Sequence, residues 1–403
     1  MSTIVSVRLG VFEKHTGRNE WYEHHGDLFQ PHDLIELPVS ESESKPRPVL
    51  CKPFRGVLER IALLGVCEQS VRMEFEKVAD EHAFFEGDNY DAKPRKLDFQ
   101  KFLALVVAID TSSVDDSYVY EKYDGYAKFF QEELAPTLNL ELSSLEAESA
   151  DEILAHMSAN SVLWLLAQNE KNLDHDLVWD FADHVDAGYS TTEEHLRAVR
   201  REHRFLIVTE GSSDGAILEK AFQLRRPEIA DFFYFIDVEK EKFPFPGHGG
   251  LRNFCRSLIT INVLNQTVVL FDNDAAARVS FNEAAKMALP INMRVLLLPN
   301  HPSGLLFETV GPDGESKADI DGRAAAIETY LDLSKGPQVR IRWKHFEESI
   351  GEYHGELENK QVYAQAFYDL APGVPYDFSN LEPVLDAVVD ACVGIARART
   401  TAA

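Results

Sequence analysis

The sequence predicts an α/β fold: a C-terminal half built on a four-stranded, mostly parallel sheet, preceded by a mainly α-helical N-terminal domain with a small extended piece. Three observations predict it. The apolar runs 205–209 (FLIVT) and 267–271 (TVVLF) lack the alternation of half-exposed strands and suit strands buried on both faces of a parallel sheet. Each is followed by acidic residues and then a helical pattern, and a related run, 232–236 (FFYFI), lies between them. Ahead of residue 200, by contrast, apolar residues recur mostly at helical spacing.

Composition sets the bounds. A chain of 403 residues accommodates two or three domains, since domains run ~100–200 residues. The net charge of -27, from 40 basic and 67 acidic residues, argues against a broadly basic surface that coats nucleic acid. It leaves room for a local basic groove, and for a site in which divalent cations sit between protein carboxylates and a phosphate. Cys51, Cys67, Cys255 and Cys392 form no CxxC pair and are expected as free thiols, without a disulfide framework or zinc site. No apolar run approaches the ~18 residues of a membrane span and the N-terminus has no signal pattern, so a cytoplasmic protein with no membrane partner is expected.

In chain order, residues 3–9 (TIVSVRL) partly alternate and read as a strand, Thr16-Gly17 as a turn, and Trp21-Tyr22 as a second short extended piece. Residues 40–48 (SESESKPRP) read as an exposed loop. Helical spacing follows over 54–82, with Gly65 suggesting two helices, and again over 98–109, 126–134, 151–169 and 173–185. A charged helical linker is expected over 191–204. The histidines of this half, His24, His25, His82, His175 and His184, lack the spacing of a helical metal pair. Arg197 and His203 have an Arg-x5-His spacing, in a segment that reads as a solvated face.

The first α/β unit is 205–209, then Glu210, Gly211 and Asp214, then a helix through Ile217, Leu218, Ala221 and Phe222 that Pro227 ends; Ser213 is its expected cap. The second runs from 232–236 to Asp237 and, past a Pro/Gly loop, into a helix through Phe254, Leu258 and Ile261. The third runs from 267–271 through Asp272-Asn273-Asp274 into a small-residue helix, and 293–298 is a fourth strand. Right-handed crossovers follow from this order. Beyond it are expected a turn at 311–314, a capped helix over 319–331, an extended segment at 339–343, and helices over 362–370 and 381–399. The domains are accordingly 1–200, 201–335 and a C-terminal helical extension, 336–403.

Glu210, Asp272 and Asp274 meet if their strands are neighbours, with Asp214 one turn into the helix after Glu210. Carboxylates gathered at the carboxyl ends of parallel strands suit hard divalent cations, which take oxygen ligands. An EGxxD after one buried strand and a DxD after another, ~60 residues on within a domain of ~100–150, make a much more specific pair than either alone.

On these residues, the stretch 204–335 resembles the Toprim family, a Rossmann-like fold shared by topoisomerases, bacterial primases and the nucleases of the overcoming-lysogenization-defect (OLD) class. The resemblance implies that Glu210 and the Asp272/Asp274 pair hold Mg2+ or Mn2+ for phosphodiester hydrolysis, with Asp214 matching the second acidic residue of the nuclease branch. It implies a further carboxylate, for which Glu328 is the first choice and Asp319 and Glu308 the alternatives, and a lysine facing the scissile phosphate, assigned to Lys360. The two halves together look like bacterial proteins in which a HEPN-associated domain precedes a Toprim nuclease, suspected of acting in phage defence. No Arg-x4-6-His stands in the core helices, which leaves the N-terminal half a regulatory, dimerising or substrate-gating role.

The expected function is therefore metal-dependent cleavage of DNA, by one ion with Glu210 as general base, or by two ions held by Asp214, Asp272 and Asp274 and by Glu210 with Glu328. Gly247, Gly249, Gly250, Arg252, Arg256, Arg278, Arg323 and Lys360 are candidate phosphate contacts. No GxxxxGK[ST] loop occurs, so an ATPase or sensor would be a separate partner; self-association is the other partnership considered. The alternative is a catalytically silent Toprim scaffold or nucleic-acid-sensing module.

Overall fold

The computed structural model describes residues 3–37, 47–85, 97–114, 125–197, 199–236, 247–304, 306–312, 314–348, 350–371 and 373–402. Asp237 and residues 40–46 and 243–246 of the expected loops fall outside them. The chain divides into two compact units, Met1–Arg200 with Thr400–Ala403, and Arg201–Arg399.

The first unit is mixed, and its extended part is larger than the small piece expected. It carries a six-stranded antiparallel sheet in the order β3-β2-β1-β6-β5-β4, formed by β1 (Ile4–Leu9), β2 (Phe12–Arg18), β3 (Trp21–Tyr22), β4 (Leu34–Leu37), β5 (Arg47–Pro53) and β6 (Asp176–Asp180). The Thr16-Gly17 pair is no turn: both lie inside β2, where Gly17 pairs with Val5 and Tyr22. The reversals fall instead at Gly10 and Asn19, both with positive φ. The segment expected as helix over 173–185 contains β6, whose Leu177 and Trp179 are both wholly buried, a period of 2 too short to stand out from helical spacing. β4 and β5 escape notice because one has only four residues and the other holds Pro48 and Pro53.

The helices of this unit include α1 (Leu58–Leu63), α2 (Glu68–Phe85), α3 (Phe99–Val107), α4 (Gly125–Phe129), α5 (Ser144–His156), α6 (Ala159–Leu166), α7 (Ala182–Asp186) and α8 (Thr192–His195). The helix expected over 151–169 is interrupted at Met157 and Ser158, because Ser158 leaves helical geometry to cap α6. Trp179, Phe29, Phe54, Phe102, Phe130 and Phe181 form the centre of one continuous core.

The second unit is organised by four parallel strands: β7 (Phe205–Val208), β8 (Phe233–Phe235), β9 (Gln266–Phe271) and, after the two-residue β10 (Asn273–Asp274), β11 (Met293–Leu297). Their spatial order is β11-β9-β7-β8. All six residues of β9 are buried, as expected of a central parallel strand. The helices between them are α9 (Ser212–Arg225), α10 (Gly247–Thr260) and α11 (Ala275–Ala284). Because β8 lies on one side of β7 and β9 on the other, the chain reverses direction between β7 and β9, and right-handed crossovers put α9 on one face and α10 and α11 on the other. Leu251, Cys255, Leu258, Ala277 and Ala284 pack there against Val208, Val269 and Phe271.

A second sheet follows, ordered β13-β12-β15-β16, from β12 (Phe307–Gly311), β13 (Gly314–Ala318), β15 (Ile341–Glu347) and β16 (Glu352–Leu357), while β14 (Ala324–Ala325) pairs with β10. The helix expected over 319–331 is absent. Its place is taken by β14 and a single 3-10 turn, Ile327–Tyr330, since Asp274 and Asn273 draw the backbone of Ala324 and Ala325 into strand pairing. Residues 336–403 open with the β15/β16 hairpin before α12 (Lys360–Tyr368) and α13 (Glu382–Ala402). Cys255 and Cys392 are buried, Cys51 and Cys67 half-buried, and all four are free. Among the described residues no helix is long and apolar enough to cross a membrane.

Candidate functional site

In an open parallel sheet the carboxyl ends of adjacent strands splay apart where the strand order reverses, leaving a crevice for ligands. Here that point lies between β7 and β9, and the residues that follow the two strands are Glu210 and Asp272. They touch directly: the backbone N–H of Asp272 donates to Glu210 Oε1 at 3.1 Å. The N-terminus of α10 also closes on Glu210, with the Gly247 N–H donating to its carbonyl at 3.1 Å and the His248 amide bonding its carboxylate. Gly247 takes φ +74°, which only glycine adopts readily, so its role is to bring this helix end onto Glu210.

Asp214 is buried at the start of α9, where its Oδ2 accepts the Gly211 N–H at 2.9 Å and its Oδ1 the Ser213 hydroxyl at 3.1 Å. Ser213 is therefore not the cap; Gly211 holds that position and Asp214 serves the first turn. Asp274 caps α11 by accepting the Ala277 N–H at 2.7 Å. Glu328, on the 3-10 turn, is buried, and Lys360 at the start of α12 stands 4.0 Å from its Oε1 and 3.2 Å from Glu356. The register of α12 is set by its docking on α9, where Tyr368 donates its hydroxyl to the Ser213 carbonyl at 3.0 Å and Lys220 donates to the Tyr368 carbonyl at 2.5 Å.

Glu210, Asp214, Asp272, Asp274 and Glu328 thus form one electrostatic group. Burial, then the charge of Asp274, pushes Glu210 up to about 8. Burial, then Glu328, pushes Asp214 up to about 6, against which Lys360 pulls weakly. Asp272 is driven well above the usual carboxylate range by burial and by all four of the others. The two alternatives to Glu328 lie elsewhere: Glu308 accepts from Gln338 at 2.7 Å, and Asp319 is exposed and accepts the Asp321 N–H. Among the described residues no three His, Cys, Asp or Glu side chains are arranged to hold an ion as they stand, so the case for a cation here rests on charge and donor type.

Three histidines join the site that sequence reasoning did not select. His354 Nδ1, a buried nitrogen without a hydrogen bond, is 3.7 Å from Asp274 Oδ2, and its ring stacks on His345 with centroids 4.8 Å apart. Burial holds His354 below the usual imidazole range although Asp274 pulls it up. His248, beside Glu210, bonds Ser280 at 2.9 Å. Only the alternation of β16, which puts His354 and Glu356 on the face opposite Gly355, could have signalled His354. Of the arginines considered for phosphate, Arg252 pairs with Glu283 at 2.6 Å, and Arg323 pairs with Glu352 at 3.1 Å and lies over the Trp343 ring. Arg278 packs against Gly322, and Arg256 is exposed. Arg197 and His203 share no helix, since α8 ends at His195 and a separate 3-10 turn covers Arg201–His203.

The model of HEPN/Toprim N-terminal domain 1 matches residues 1–204, half of the chain. The chain belongs to this HEPN/Toprim family. No curated protein matches it, and neither does any solved structure. The HEPN/Toprim match ties the N-terminal half to a nuclease-related module, while the carboxylate group lies beyond the matched residues.

Proposed function

We propose that this protein is a Mg2+- or Mn2+-dependent nuclease that hydrolyses phosphodiester bonds in DNA at the carboxylates of a C-terminal Toprim domain, and that it acts in bacterial anti-phage defence. One observation carries the reading: Glu210, Asp214, Asp272, Asp274 and Glu328 converge at the strand-order reversal, gathering more carboxyl groups than packing requires. Every one of these donors is a carboxylate oxygen, the donor type of hard divalent cations.

In this reading Asp214, Asp272 and Asp274 hold one cation and Glu210 with Glu328 a second. Bound there, such ions polarise a phosphate oxygen and acidify a bound water. The remaining work belongs to the chain's own groups. With one ion instead of two, Glu210 would be left free of metal to serve as the general base. The amides of Asp272 and His248 hold its carboxylate in place. Lys360 brings a positive charge beside Glu328 for a phosphate oxygen. With no phosphate-binding nucleotide loop in the sequence, any ATP-driven step comes from a separate ATPase or sensor.

A second reading, a silent Toprim scaffold or nucleic-acid sensor, is favoured by the net charge of -27. Supercoiled-plasmid nicking in Mg2+ and in Mn2+, by the wild type and by Asp272→Ala, separates the two. Nicking lost in the variant supports hydrolysis at this site, and nicking kept by the variant removes the site. A wild type inert in both metals favours the silent module.

A further inference from the structure

The hairpin beside the carboxylates has a face that neither the family match nor the motif accounts for. β16 places His354 and Glu356 on one side and turns Gly355 and Leu357 inward. Gly355 and Gly311 lie against Trp343, which leaves no room for a Cβ at either and keeps the indole of β15 on the inner face. Its neighbours Arg342 and Lys344 are exposed on the other side. A break in register between Trp343 and His345 puts Lys344 in a bulge, a device that re-aims a side chain beside functional sites. Arg342, Lys344, Glu356, Glu358, Asn359 and Lys360 line a groove of about 500 Å3.

This groove abuts the carboxylates through Lys360, 4.0 Å from Glu328. Its cations are held in place by carboxylates: Arg342 Nε donates to Glu358 at 2.7 Å, Lys344 pairs with Glu356, and Lys360 pairs with Glu356 at 3.2 Å. Three cations against two anions make a locally basic strip in a chain of net charge -27. Exposed ion pairs are worth only ~0–1 kcal/mol each, so a phosphate is able to take the cation from its carboxylate at small cost.

We propose that Arg342 and Lys344 form a phosphate-binding track that guides the backbone of a nucleic-acid strand past Lys360 into the carboxylate site. The inference rests on the reading of that site as one acting on nucleic acid, and its test does not depend on cleavage. Binding of a fluorescein-labelled DNA oligonucleotide is followed by anisotropy in EDTA over a range of salt. Two phosphate contacts contribute ~0.7–0.9 each to the slope of log affinity against log salt. The double variant Arg342→Gln/Lys344→Gln should therefore bind more weakly with a slope shallower by about 1.4–1.8. Glu358→Gln, which frees Arg342, should bind more tightly than wild type.

An unchanged slope in the folded double variant, checked by circular dichroism, overturns the track, as does absence of binding by the wild type. Displacement of the oligonucleotide by pyrophosphate at equal phosphate concentration also overturns it, pointing to a site for a small phosphate compound. Binding as expected from a protein that fails to nick plasmid leaves the track standing and removes the nuclease reading.

Discussion

Asp274→Asn tests whether the carboxylates truly share one field. The change keeps the shape of the side chain and an oxygen to cap α11, and removes the charge that, after burial, does most to raise Glu210. An acid raised in the fold holds protons that the unfolded chain releases. Glu210, ordinarily 4.5 and here about 8, therefore leaves stability intact below pH 4.5 and drains it as pH rises towards 8. At ~1.4 kcal/mol per tenfold, that gap corresponds to about 5 kcal/mol of strain when Glu210 is fully ionised, shared with its coupled neighbours. Removing the Asp274 charge should return about 1–2 kcal/mol of it at pH 8 and little at pH 4.5, where Glu210, Asp214 and Asp272 largely hold their protons. For a unit of this size that is a rise in Tm of about 2–8 °C at the higher pH. Thermal melts in EDTA at the two pH values measure it, and a nicking assay on the same protein should show activity lost. A variant less stable than wild type at both pH values, or stabilised equally at both, would refute the idea of a shared field.

Two further outcomes follow from the packing. In the first unit, burial holds His25 and His195 down to about 3, so both stay neutral in the fold while the unfolded chain takes up protons below 6.5. Their contribution is complete above pH 6.5 and is lost as pH falls from there towards 3, at about 2 kcal/mol per histidine by pH 5. Urea unfolding of the wild type and of His25→Phe at pH 7 and pH 5 checks this, the variant keeping the contact with Trp179 and losing part of the acid sensitivity. In the second unit, Gly355→Ala would set its Cβ 2.7 Å from Trp343 and 2.9 Å from Ala324. It should destabilise by about 1–3 kcal/mol and weaken oligonucleotide binding by shifting the hairpin, to be read from denaturant midpoints and anisotropy on one preparation.

Local chemistry was enough to locate the four parallel strands, the helices between them, and Glu210, Asp214, Asp272 and Asp274, because a fully buried strand needs a continuous apolar run and its acidic end interrupts it abruptly. β9 and the Asp272-Asn273-Asp274 turn after it are the clearest case. Where the signal is short or shared with another state it misled. β6 has too few residues to reveal its period of 2, β5 hides behind its prolines, and residues 319–331 hold good helix formers that strand pairing at Ala324 and Ala325 overrides. That His354 reaches Asp274, that Lys360 reaches Glu328, and that Arg342 and Lys344 line the same groove depend on which strands become neighbours and which way a bulge turns a side chain. Sequence by itself determined which carboxylates follow the buried strands. The tertiary structure alone decided which of them meet, because long-range contacts follow from strand order and packing, and neither is written in the spacing along the chain.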